Sequence, residues 1–237
     1  MINASFPHLE RHVVVRLARL SDWTGELASW EGTLDLESKA RAARFRFTED
    51  RTRFVLGRAL LARSLREFGD GSGDPLQLRL TEKGRPVLVD RPEIQFSISH
   101  SGELVALAVT LKTRVGIDLE AISRPADLDA IAEKIMSAVD HEVFQKLSGP
   151  ERPASFFRVW NAKEAYLKAV GLGLPGGLKE VAVPMEKTDS SSRCIIHPDG
   201  KEQPWCLQTL PLPEGYCGCV VWDDPAKSLD FLVVKPN

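Results

Sequence analysis

Near the middle of the chain, Gly116-Ile117-Asp118-Leu119-Glu120 sets two carboxylates two residues apart. Side chains two apart on a strand share a face, so Asp118 and Glu120 point together while Ile117 and Leu119 turn to a core. Like charges held side by side repel, and one is driven towards protonation unless a cation intervenes. Hard carboxylate oxygens suit Mg²⁺, which takes few protein ligands and completes its shell with water and phosphate oxygens. An ordinary polar strand end is the plain alternative.

A second segment, Trp160-Asn161-Ala162-Lys163-Glu164-Ala165-Tyr166-Leu167-Lys168, has helical character. Trp160, Glu164 and Lys168 are four apart and form one stripe, which taken alone reads equally as a surface Glu–Lys pair. A third, Phe96-Ser97-Ile98-Ser99-His100-Ser101-Gly102, alternates serines with apolar residues and ends in a histidine at a turn. It is not the G-x-S-x-G elbow of a serine hydrolase. Upstream, Gly84-Arg85-Pro86 is a turn that presents an arginine, whose planar fork fits a phosphate.

The elements that must hold these residues follow from pattern. Strands are predicted at 12–20, 76–80, 94–99, 104–111 and 115–119, then at 193–196, 205–210, 217–221 and 231–234. Short helices are predicted at 24–30, 37–45, 128–136 and 140–147. Two are long. One opens at Thr48, with Glu49 and Asp50 completing a cap, and carries Phe54, Leu61, Leu65 and Phe68 on one face. The other spans 154–170 and is stopped by Gly171, Gly173, Pro175, Gly176 and Gly177. Each half thus runs strand, helices, long helix, strands. The expected fold is α+β, a pseudo-twofold duplication of two similar subdomains, 1–114 and 115–237, with the site in the cleft between them.

The 237 residues are 43% hydrophobic and 27% charged, so a buried core is expected. No apolar run approaches the ~20 residues needed to span a bilayer, and residues 1–10 lack the basic-then-apolar pattern of a signal peptide. A cytoplasmic protein is expected. The net charge of −2 conceals a basic first half, rich in arginine from Arg41 to Arg66, and an acidic second half. Glu49, Asp50 and Glu67 interrupt the arginines, which argues against nucleic acid. Cys194, Cys206, Cys217 and Cys219 form no C-x-x-C pair and read as small buried strand residues.

In order, then, the chain carries GRP, FSISHS, GIDLE and WNAKEAYLKAVGLGL. Over residues 37–174 this resembles the 4′-phosphopantetheinyl transferase superfamily, in its long surfactin-synthetase-associated (Sfp-like) form with a W-x-x-KEA motif. The resemblance implies that Asp118, Glu120 and Glu164 bind Mg²⁺, with Mn²⁺ as an alternative ion. It gives Lys168 to the pyrophosphate of coenzyme A, with Lys163 a further local cation. Arg85, His100 and Ser99 fall to the 3′-phosphate, with Arg53 and Arg41 at further basic positions. Lys83, Gly84, Arg85 and Pro86 belong to the stretch around the adenine. Ser38 departs from the pattern, standing where some members have lysine.

The implied reaction is attack by a carrier-protein serine on the β-phosphorus of coenzyme A, releasing adenosine 3′,5′-bisphosphate. Such a transfer asks mainly for alignment and charge neutralisation. Glu164 or a metal-bound water takes the serine proton, and the sequence does not choose between them. A metal-dependent nucleotide pyrophosphatase and a non-catalytic carrier-binding module stand as alternatives. The partner is an apo acyl or peptidyl carrier protein, acted on by a monomer. Segment 121–129, with Ile122, Arg124, Pro125 and Leu128, is the expected docking loop.

Overall fold

The computed structural model describes residues 6–69, 76–122, 127–172, 177–183, 193–196 and 205–236. The elements of the first part are α1 (Pro7–Arg11), β1 (His12–Arg19), α2 (Leu27–Gly32), α3 (Leu36–Ala42), α4 (Thr48–Glu67), β2 (Leu78–Leu80), β3 (Pro86–Leu88), β4 (Ile94–Ser101) and β5 (Leu104–Leu111). Then come β6 (Val115–Ala121), α5 (Leu128–Ile135), α6 (Ala138–Gln145), α7 (Glu151–Val170), β7 (Arg193–Ile196), β8 (Trp205–Thr209), β9 (Tyr216–Trp222) and β10 (Ser228–Val233).

The chain divides into two units. The first gathers the described residues up to Thr113 and those from Ala226 onward. Its four-stranded sheet has the order β10-β1-β5-β4. The run LVALAVTL of β5 lies between β1 and β4 and is buried at every position. Helix α4 covers it with Leu56, Leu60, Leu61 and Leu65, each almost fully buried, and each such leucine contributes about 1.5–3 kcal/mol relative to exposure. Strand β10 pairs in parallel with β1, from His12 against Ser228 to Leu17 against Val233. Arg16, buried in the otherwise apolar β1, reaches Asp230 of β10 and Glu67 of α4.

The second unit runs from Arg114 to Pro225, so the last strand belongs to the first unit and not, as a division at residue 114 has it, to the second. The sheet of the second unit has the order β6-β9-β8-β7, all antiparallel. Helix α7 packs on β6 and β9 through Ala162, Ala165 and Ala169. These small residues bring helix and strand so close that a Cβ at Gly116 would lie 1.9 Å from the Ala165 carbonyl oxygen. Gly116→Ala should therefore cost about 2–3 kcal/mol, the upper range for overpacking. Chemical denaturation checks this, and an unchanged midpoint would contradict the close approach.

Each unit thus sets a 20-residue helix against a four-stranded sheet, in the mixed α+β class expected. Helix α4 does open at Thr48, but its N-cap position is Phe47, and no side chain caps it. Glu49 and Asp50 act instead as first-turn acids beside the positive end of the helix dipole. Gly171 ends α7 in the left-handed conformation, with φ of 70°. No described helix is long and apolar enough to cross a membrane.

Candidate active site

In the second unit, β6 presents Asp118 and Glu120, and α7 presents Glu164 and Lys168. Both faces of the strand behave as its alternation predicts: Ile117 and Leu119 are fully buried in the core, while Glu120 is half-exposed. Asp118 is itself buried, and its Oδ1 accepts a 2.7 Å hydrogen bond from Lys168 Nζ. That bond ties helix to strand at the level where Gly116 lets them meet.

Glu164 is the unusual group. Its Oε1 is buried and has no hydrogen-bond partner among the described residues. Burial, then the charge of Asp118, and to a lesser extent Glu120, push its carboxyl up to about 7 against the pull of Lys168. Asp118 and Glu120 therefore both act on Glu164, and the Lys168 ammonium offsets them in part.

Among the described residues, no three His, Cys, Asp or Glu side chains form a ready-made metal cage. The donor chemistry nevertheless fits a hard divalent ion. All three groups are carboxylates, and Glu164 has an unfilled oxygen in a negative field.

Lys163, one residue from Glu164, has a different task from the one the resemblance implies. It is fully buried, and its ammonium donates to Asp140 Oδ2 at 2.8 Å, to the Ile135 carbonyl at 3.0 Å and to the Leu178 carbonyl at 2.8 Å. An ammonium has three donors, and all three are used. Lys163 is a structural cation that joins α5, α6 and α7.

Two neighbours escaped the sequence reading. Asn161, buried on α7, donates from Nδ2 to Cys217 Sγ at 3.1 Å. The Cys217 thiol in turn faces the Glu120 carbonyl at 3.8 Å, across the β6–β9 ladder. Burial raises this thiol to about 11, so it stays protonated and can donate. Cys206 and Cys219 are buried, as expected of small strand residues. The only sequence signal for the pair was the polar Asn161 within a buried run.

The proposed nucleotide residues lie in the first unit. Gly84, with φ of 80°, makes the turn between β2 and β3, which the Thr81 hydroxyl closes by accepting from Arg85 N. Lys83 and Gly84 are exposed at its tip, and Pro86 opens β3. Arg85 Nη2 donates to Gln95 on β4 at 3.1 Å. Ser99, buried, and His100, exposed, end the same strand. Arg53 reaches the following turn, donating from Nε to the Gly102 carbonyl at 2.9 Å. Arg53 and the His100 strand end are thus brought together, whereas Arg85 is anchored five residues back along β4. Arg41 is exposed and lies over the Phe54 ring. Ser38 is buried and donates to Asp35, the N-cap of α3. Of the expected docking loop, Arg124 and Pro125 lie outside the described residues, Ile122 is exposed and Leu128 half-buried.

Comparison with known proteins identifies the family. Residues 114–221 match the family described as the 4′-phosphopantetheinyl transferase superfamily. Residues 21–112 match a family described as 4′-phosphopantetheinyl transferase, N-terminal. The chain is 33% identical over 206 residues to the 4′-phosphopantetheinyl transferase psf-1 of Bacillus pumilus, covering 86% of this chain and 80% of that one. It is 33% identical over 167 residues to HetI of Nostoc sp., covering 69% and 70%. It is 28% identical over 199 residues to Sfp of Bacillus subtilis, covering 84% and 86%. The chain belongs to the 4′-phosphopantetheinyl transferase superfamily of enzymes, and to its Sfp-like type.

Proposed function

We propose that this enzyme transfers the 4′-phosphopantetheine group of coenzyme A to a serine of an apo acyl or peptidyl carrier protein, releasing adenosine 3′,5′-bisphosphate. The observation that carries the chemistry is Glu164, a half-buried carboxyl raised to about 7 beside Asp118 and Lys168. Among the described residues its buried Oε1 has no hydrogen-bond partner, which leaves that oxygen to accept a proton, while a bound cation would favour the carboxylate form. Glu164 accepts the serine proton as the serine oxygen bonds to the β-phosphorus. The bond from that phosphorus to the bridging oxygen breaks, and the electron pair leaves on the adenosine bisphosphate. Lys168 stands ready to meet that leaving charge.

Asp118, Glu120 and Glu164 would hold a Mg²⁺ ion, which when bound neutralises pyrophosphate oxygens and stabilises developing negative charge. Asn161 and Cys217 hold the Glu120 end of β6 in register. The active species in this reading is a monomer.

Incubation with coenzyme A, Mg²⁺ and an apo carrier, followed by weighing the carrier, tests the reading. A gain of one phosphopantetheine group is expected. Coenzyme A cleaved without that gain would indicate a pyrophosphatase, and inertness a binding module.

Nucleotide anchoring is tested separately. Arg85→Ala or His100→Ala should raise KM for coenzyme A roughly tenfold or more, the effect of one lost charge-assisted hydrogen bond. KM for dephospho-coenzyme A, which lacks the 3′-phosphate, should move much less. Equal loss with both substrates would remove these residues from the 3′-phosphate.

A further inference from the structure

Away from the carboxylates, the first unit holds a cavity of about 150 Å³ between the N-terminal end of α3, one side of α4 and strand β2. Its apolar walls are Leu34, Ala59, Ala62, Leu76 and Leu78. Into it projects Arg58, only 7% exposed, whose Nε and Nη1 are buried and have no hydrogen-bond partner among the described residues. The guanidinium lies 5.1 Å from the Phe54 ring centroid, and Arg41 shares that ring at 5.4 Å.

Among the described residues no carboxylate hydrogen-bonds to Arg58. Asp35, at the cavity wall, gives Oδ1 to Ser38 N and Oδ2 to Ser38 Oγ. Asp35 and Glu37 favour the Arg58 charge only through space, and Arg41 opposes it. Burial, with Arg41, lowers Arg58 to about 10. A buried charge without a hydrogen-bonded counter-charge is unfavourable. An anion supplied from solution removes that penalty.

The lining also says which anion. The Ser38 hydroxyl is spent on Asp35, and the Thr33 hydroxyl on the Trp30 carbonyl. Among the lining residues Arg58 is the buried cation, a single guanidinium fork that matches a planar carboxylate bidentately, while Arg66 is exposed and leaves a buried phosphate dianion short of donors. Arg41, Arg66 and Arg79 stand around the cavity and its neighbouring opening, a basic approach for an anion. We propose that this cavity binds small monocarboxylates bearing a short apolar chain, the carboxylate on Arg58 and the chain against Ala59, Ala62 and Leu78.

Titration calorimetry of the full chain with acetate, butyrate, hexanoate and inorganic phosphate, at matched ionic strength, tests this. Affinity should rise roughly three- to fourfold for each methylene added, until the cavity is full. Phosphate should bind at least tenfold more weakly than butyrate. Arg58→Met should abolish butyrate binding and raise the melting temperature of the ligand-free protein, because a buried uncompensated charge is gone. Ala62→Leu, which fills the cavity and keeps the arginine, should abolish hexanoate binding. Should Arg58→Met fail to fold, Ala62→Leu decides alone. Affinity independent of chain length, phosphate binding as tight as butyrate, or hexanoate binding that survives Ala62→Leu would each overturn the assignment.

Discussion

Glu164→Gln should lower kcat at least ~100-fold, the low end for a lost general base, and at the same time stabilise the metal-free protein above neutral pH. The two effects share one cause. The carboxyl is raised from an ordinary 4.5 to about 7, by burial first and Asp118 second. Between those values the folded state keeps a proton that the unfolded chain has released, so stability falls as pH rises through the window. The group contributes no penalty below about 4.5 and its full penalty above about 7. Discounted for a half-exposed group, that penalty is about 1–2 kcal/mol.

Glutamine has no charge to desolvate. Thermal unfolding in a chelator should therefore show the variant more stable than the parent at pH 8 and equal to it at pH 5. Added Mg²⁺ should narrow the difference, because a cation favours the carboxylate. Parallel pH profiles for the two proteins, or near-normal turnover in the variant, would remove Glu164 from the role given it.

Lys163→Ala should destabilise the fold by about 3–5 kcal/mol, the cost of leaving one partner of a buried pair uncompensated. Asp140 is fully buried. Its Oδ1 accepts from Val183 N and its Oδ2 from Ser137 N, so it cannot turn out to water without breaking the N-terminal cap of α6. The pair Lys163→Met with Asp140→Asn removes both charges and should recover much of the loss. Its KM for coenzyme A should stay near the parent value. Denaturant midpoints and KM measured on both variants check this. Wild-type stability in Lys163→Ala, with a raised KM, would return Lys163 to the ligand.

The contrast between Lys163 and Lys168 shows what the sequence could and could not reveal. Their neighbourhood was legible as chemistry because Asp118 and Glu120 share a strand face, and Glu164 and Lys168 a helix face. The same periodicity held a signal that the motif obscured. Phe156, Val159, Lys163, Leu167 and Val170 follow the apolar stripe of α7, and the first four are buried. A lysine inside such a stripe is expected to be an internal cation. Its partner Asp140 could not be named, because the pairing depends on how α6 folds back onto α7.

The return of β10 to β1 was hidden for a related reason. The strand read at 231–234 lies at 228–233, and nothing in its sequence announces its neighbour. The clue lay in Arg16, a buried charge amid HVVVRLAR that needed an acid partner, and half-buried Asp230 brings it on β10. Gly116 likewise appeared only as the first letter of a motif. Its meaning, a helix backbone within reach of any Cβ, exists only in three dimensions.

Transfer to a carrier is tested by following both products of one reaction. With coenzyme A, Mg²⁺ and an apo carrier, holo-carrier and adenosine 3′,5′-bisphosphate should appear one for one. Neither should form when the carrier serine is replaced by alanine or when Asp118→Ala stands in for the parent enzyme. Bisphosphate released at the same rate with the alanine carrier as with the serine carrier would contradict the account.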